Sequence, residues 1–180
     1  MLERLKKILH RPLISAVLLV LAASLWGCNP FAPGLDDAVT DPNKLLGDRT
    51  KIDGFFDWFR SAYQLRDSTL YGQIVAPGFT FTYFDFRNNT EVKWTRDVEM
   101  NATHKLFRNV RSTTLQWNQY IVADTALSDT LAVVERAFNL SINQDDATVY
   151  QGVGSARLVL VRKRKGDPWK MRSWYDKSDF

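Results

Sequence analysis

The chain has 180 residues, of which 45% are hydrophobic and 13% aromatic, enough apolar material for one packed domain plus a short extension. Its formal net charge is +4, but residues 1–27 hold four basic residues and one acidic one, which leaves the remainder nearly neutral. That balance gives no electrostatic footprint for nucleic acid. A single cysteine, Cys28, excludes an internal disulfide, so the fold must rest on its core.

The first segment is basic at its head, with Arg4, Lys6, Lys7 and Arg11, and apolar from Leu13 to Leu25. The apolar run is shorter than the roughly 20 residues a comfortable membrane span needs. A positive head, a short apolar run and small residues before a cut have the form of a secretory signal. Its last four residues, Leu25-Trp26-Gly27-Cys28, resemble the lipobox of bacterial lipoproteins, with Trp26 departing from the small residue usual there. The resemblance implies cleavage after Gly27 and lipid attachment at Cys28, hence a palmitate-type anchor in the cell envelope membrane. Asn29 follows the cysteine, where aspartate would imply inner-membrane retention, so the expected site is the outer membrane. The alternative is an uncleaved N-terminal anchor. The expected domain plan is a signal peptide at 1–27, a tether at 28–47 rich in proline and glycine, and one domain at 48–180.

Within the domain, Ile52, Phe55, Phe56, Phe59 and Tyr63 recur at helical spacing, and a shorter helix is expected from Ser68 to Val75, stopped by Pro77-Gly78. Phe79 to Phe86 switches to period two and reads as a strand with aromatics on both faces. Arg87-Asn88-Asn89-Thr90 reads as a turn. A third helix is expected from about Thr95 to Asn109, with Asp97 and Glu99 favourable in its first turn and Val98, Ala102 and Leu106 as its apolar stripe, joined by Phe107 and Val110. Four strands then follow, at 111–123, 130–142, 148–163 and 169–176. Gly152 and Gly154 are places for a bulge or bend. Trp169 and Met171 are on one parity and Trp174 and Asp176 on the other, which predicts either burial of both faces or a bulge near Arg172-Ser173.

This order is α+β: N-terminal helices packed on a strongly bent antiparallel sheet. It resembles the nuclear transport factor 2-like superfamily, whose helices and bent sheet form a cone around a cavity. The resemblance is carried by Ala62-Tyr63-Gln64-Leu65-Arg66-Asp67 with Tyr71, Pro77, Phe79 and Phe81, and by Arg157–Val161 with Gly166, Trp169, Met171, Trp174 and Asp176. Enzymes of the superfamily, among them ketosteroid isomerase and the SnoaL-type cyclases, place a few polar residues in an apolar cavity. Such motifs bear on fold rather than activity.

The cavity residues expected from parity and helical phase are Tyr63, Asp85, Trp117, Arg136, Trp174 and Asp176, with His104 near the mouth. Tyr63 has a core reading and Asp85 a turn-capping one. Arg136 would either hold an acidic ligand or pair with Asp85 or Asp176, since a buried charge needs a partner. Phe81, Trp117, Phe138 and Trp174 would plug the cone if it is closed. No His, Cys, Asp or Glu grouping has metal-ligand spacing, and no cofactor motif is present. Arg162-Lys163-Arg164-Lys165 reads as a solvated hairpin tip or a contact for anionic headgroups. The expected role is an anchored lipoprotein whose cone binds a small apolar or acidic ligand or serves in assembly, without catalysis. The alternatives are a cyclase- or isomerase-type enzyme and a structural envelope protein. Self-association as a homodimer is compatible with all three.

Overall fold

The computed structural model describes residues 45–178. The signal segment, Cys28 and most of the tether lie outside them. Among the described residues no helix is long and apolar enough to cross a membrane.

The aromatic helix, α1 (Ile52–Leu65), buries Phe55, Phe56, Trp58, Phe59, Ala62 and Tyr63, the face its periodicity defines. It ends in a left-handed Arg66, whose N–H and that of Asp67 close onto the Tyr63 and Ala62 carbonyls. The Asp67 carboxylate then caps α2 (Ser68–Ile74), accepting from Thr69 N at 2.7 Å and Leu70 N at 3.0 Å. Trp58 Nε1 donates to the Leu70 carbonyl at 3.0 Å and ties the two helices together.

Six strands form one sheet: β1 (Val75–Asp85), β2 (Thr90–Thr95), β3 (Ser112–Ser128), β4 (Leu131–Asn143), β5 (Val149–Val161) and β6 (Lys170–Ser178), in the order β2-β1-β6-β5-β4-β3. The third helix, α3 (Arg96–Asn109), connects β2 to β3. Phe55, Phe56 and Phe59 of α1 and Tyr71 and Ile74 of α2 form one core with Val134, Leu158, Leu160 and Met171 of the sheet.

Four points differ from the sequence reading. The sheet is mixed, because β1 runs parallel to β6; the other four pairings are antiparallel. Parallel pairing joins segments about 90 residues apart, which no local period encodes. The strand β2 is additional; only Val92 and Trp94 along it are even half-buried, so its apolar alternation is faint. Along α3, Phe107 and the following Val110 are buried as expected, but the inward positions before them are Glu99 and Thr103, one residue on from Val98 and Ala102, and Val98 is 49% exposed. The β4–β5 register runs unbroken through Gly152 and Gly154, so no bulge falls there; register shifts fall instead in the β3–β4, β1–β6 and β5–β6 pairings.

The closing hairpin is present as β5–β6. Val159 opposes Ser173 while Leu160 opposes Met171, so Arg172 is the extra residue of a bulge. That bulge buries Met171 and also turns Trp174 and Asp176 inward. The basic hairpin tip is tied to the fold: Arg162 lies 4.1 Å over Trp169 and donates to the Asp129 and Thr50 carbonyls.

Candidate functional site

Between the inner face of the sheet and helices α1 and α3 lies a half-open cavity of about 290 Å³. Aromatic rings form about half of its wall. Phe81 and Trp94 stack at 4.5 Å with planes 10° apart, a pairing set by their direct cross-strand register. Trp174 meets Phe81 edge-on at 5.1 Å and Phe59 at 5.6 Å. Trp117 meets Phe56 at 4.8 Å and Phe138 at 5.8 Å. These edge-to-face contacts hold the rings in fixed orientations. The four residues expected to plug a closed cone therefore line an open space.

Two carboxylates enter this apolar wall. Glu99, on α3, is only 4% exposed and accepts three hydrogen bonds: from the Tyr71 hydroxyl at 2.7 Å, Trp94 Nε1 at 2.8 Å and Thr103 Oγ1 at 3.1 Å. Asp176, on β6, accepts from Ser178 Oγ through Oδ2 at 2.8 Å, while its buried Oδ1 has no partner. Burial raises the Asp176 pKa, and the charge of Glu99 adds to the effect, against hydrogen bonds from Ser178 and Lys177 that lower it. Burial likewise raises the Tyr63 phenol, with Glu99 and Asp176 contributing. Two buried donors, Trp117 Nε1 and Trp174 Nε1, also lack partners. Unpaired buried polar atoms are uncommon in folded proteins, and here three of them belong to residues around one cavity.

Of the residues expected at the cavity, Tyr63, Trp117, Trp174 and Asp176 line it; Asp85, Arg136 and His104 do not. Asp85 ends β1, where its carboxylate accepts from Asn88 Nδ2, Arg87 N and Asn88 N. The Asn88 side chain and then the backbone donors lower its pKa. It belongs to a shallower groove that meets the cavity at Phe81, Trp94 and Asp176. Arg136 has the inward parity expected of it, but α1 covers it. Its guanidinium lies 4.9 Å from the Phe56 ring centre and 4.6 Å from that of Tyr120, donates to the Asn118 carbonyl at 2.8 Å, and pairs with Asp53 at 3.8 Å. Its carboxylate partner is thus Asp53, rather than Asp85 or Asp176. His104 is exposed on α3 and meets Ser68 Oγ at 3.2 Å, on the side turned toward α2.

Glu99, Trp94 and Thr103 were not expected at the site. Glu99 reads in sequence as a helix-dipole acid. The available signal was its i, i+4 relation to Thr103 and, four further on, Phe107. Among the described residues no His, Cys, Asp or Glu group has the arrangement of a metal site.

Comparison with known proteins places this geometry in a recognised fold. No protein-family model matches the chain, and no curated sequence does. Solved structures do. The Kfla4162 protein of Kribbella flavida superimposes with a TM-score of 0.60 at 14% identity, over 74% of this chain and 91% of that one. A candidate scytalone dehydratase from Novosphingobium aromaticivorans gives 0.59 at 13% identity, over 72% and 82%. A nuclear transport factor 2-like superfamily protein from Salmonella enterica gives 0.56 at 14% identity, over 72% and 89%. The fold is nuclear transport factor 2-like, with helices on a mixed sheet that does not close.

Proposed function

We propose that this protein is a membrane-anchored envelope lipoprotein, held by lipid at Cys28, whose domain binds a small, largely apolar molecule in the cavity between sheet and helices. The observation that carries the binding role is that three residues lining one partly aromatic cavity, Trp117, Trp174 and Asp176, each hold a buried polar atom without a partner. A structural protein with no ligand would gain stability by filling that space and satisfying those groups. Trp94, Trp117 and Trp174 are half of the chain's six tryptophans, so intrinsic fluorescence reports directly on occupancy. Titrating the full chain with a panel of small aromatic compounds should give saturable quenching. Quenching that stays linear for every compound would remove the binding role. The anchor is tested separately: Cys28→Ser should abolish incorporation of labelled palmitate and leave the precursor uncut, and unchanged labelling would remove that part.

A second reading rests on Asp176. A carboxyl whose burial raises its pKa, near the buried phenol of Tyr63, has the character of a proton-transfer group. Turnover of an enolisable ketone that disappears in Asp176→Asn would favour this reading; binding without turnover would favour the first.

A further inference from the structure

The charges around the cavity bear on what can enter it. Among its lining residues there is no Lys, Arg or His, and there are two carboxylates, Glu99 and Asp176. Three nearby cations are committed elsewhere, and Arg87 lies in the adjoining groove beside Asp85 rather than in the cavity. Arg136 is turned to Asp53 and the Asn118 carbonyl. Lys177 bridges both oxygens of Glu135, at 3.0 and 3.1 Å. Arg96 reaches the Gly72 carbonyl. Glu99 already has three donors and Asp176 has donors in Ser178 and Lys177, but its Oδ1 has none and is the carboxylate oxygen left without a partner. Tyr63, Phe81, Trp94 and Trp174 line the same cavity as Asp176. Aromatic faces attract cations through their quadrupole, most strongly when water is excluded, and tryptophan does so best. The two free indole N–H groups ask in addition for an acceptor.

We infer that the ligand of this cavity is a small organic cation, an amine that also carries a hydrogen-bond acceptor. Its ammonium lies beside the Asp176 carboxylate among the lining rings, and a small rotation of Trp117 or Trp174 brings the indole N–H, sealed in this structure, to its acceptor oxygen. This rests on the reading that the cavity holds a ligand, and it departs from the sequence expectation of an apolar or acidic one: an anion would lie beside the carboxylates of Glu99 and Asp176 and meet no cation among the lining residues.

Three probes that share one aromatic ring and one ether oxygen but differ in head-group charge separate the cases: 2-phenoxyethylamine, 2-phenoxyethanol and phenoxyacetate. Tryptophan quenching of the full chain at pH 7.5 should show the amine binding about tenfold or more tightly than the alcohol, and the acid weakest of all. In Asp176→Asn, checked for native circular dichroism, the amine-to-alcohol ratio should fall toward one. Binding of the acid as tightly as the amine, or an amine preference that survives in Asp176→Asn, overturns the cationic ligand and leaves the cavity as a binding site. Absence of saturable quenching by all three removes both.

Discussion

Glu99 shows how a single buried charge can be held in an apolar wall. Its three donors come from α2, β2 and α3, so the one carboxylate ties three elements together beneath the cavity. Glu99→Ala leaves the Tyr71 hydroxyl and the Trp94 indole without their acceptor, and each buried orphan costs about 1–3 kcal/mol. A loss of about 2–5 kcal/mol is expected in urea unfolding, with Glu99→Gln less severe because an acceptor oxygen remains. Asp176 behaves differently with pH. Its folded pKa is raised above the ordinary 3.8 by burial first and by Glu99 second. Between the ordinary value and the folded one, the folded chain keeps a proton that the unfolded chain has released. Stability contributed by this group therefore falls as pH rises through that window and stays reduced above it. Asp176→Asn should be more stable than the parent at neutral pH, and the difference should disappear near pH 3; equal stability at pH 7 would refute the buried-carboxyl account.

At the scale of elements, the periods of the sequence were enough to find α1, α2 and the four long strands, and the parity clash at Trp169, Met171, Trp174 and Asp176 marked the bulge at Arg172. The phase of α3 was not legible, because its buried stripe is partly polar. Glu99 and Thr103 turn inward to serve each other and the cavity, and an apolar count places the stripe on Val98 instead. Glu99 and Thr103 were missed for that reason, although Ala102 and Leu106 of the expected stripe do line the cavity. Arg136 was legible by parity but not by partner, since Asp53 comes from a helix about 80 residues earlier. Gly54 gives a similar lesson. By propensity it is a weak point in α1, and alanine should gain up to about 1 kcal/mol. In the fold, a Cβ on Gly54 would lie 2.1 Å from the Asp48 carbonyl oxygen. Its own carbonyl oxygen would lie 2.4 Å from a Cβ on Gly47, which has φ +115°. The two glycines let the incoming chain lie directly on the helix, and Leu46, assigned to the tether by composition, packs against the core just before them. Gly54→Ala should therefore lower thermal stability, by about 1–3 kcal/mol as for an overpacked site, and a rise in melting temperature would contradict this close approach.

At the scale of the whole molecule, the mixed sheet makes β6 the strand that joins two halves. On one side it pairs with β1, and through β1 with β2; on the other it pairs with β5, and through it with β4 and β3. It also brings Met171, fully buried, and the Trp174 and Asp176 of the cavity. A chain ended at Pro168 should lose cooperative unfolding altogether rather than become modestly less stable. Urea titration followed by far-ultraviolet circular dichroism would detect this, and a sharp transition in the shortened chain would show that the halves hold together without β6.

Because β6 comes after every other described strand, the order of synthesis runs against the order of the sheet. When Lys165 emerges from the ribosome, a two-strand ribbon and a three-strand meander are both complete in sequence, yet each has an edge with nothing beside it. Such edges are where chains pair wrongly with one another. The antiparallel β5–β6 hairpin needs only a short turn, whereas the parallel seam with β1 must span nearly the entire domain, a long-range closure of the kind that slows folding. The nascent domain thus stays incomplete until β6 is free to slot between two waiting edges, and the cavity, which takes Trp174 and Asp176 from β6, comes into being only then.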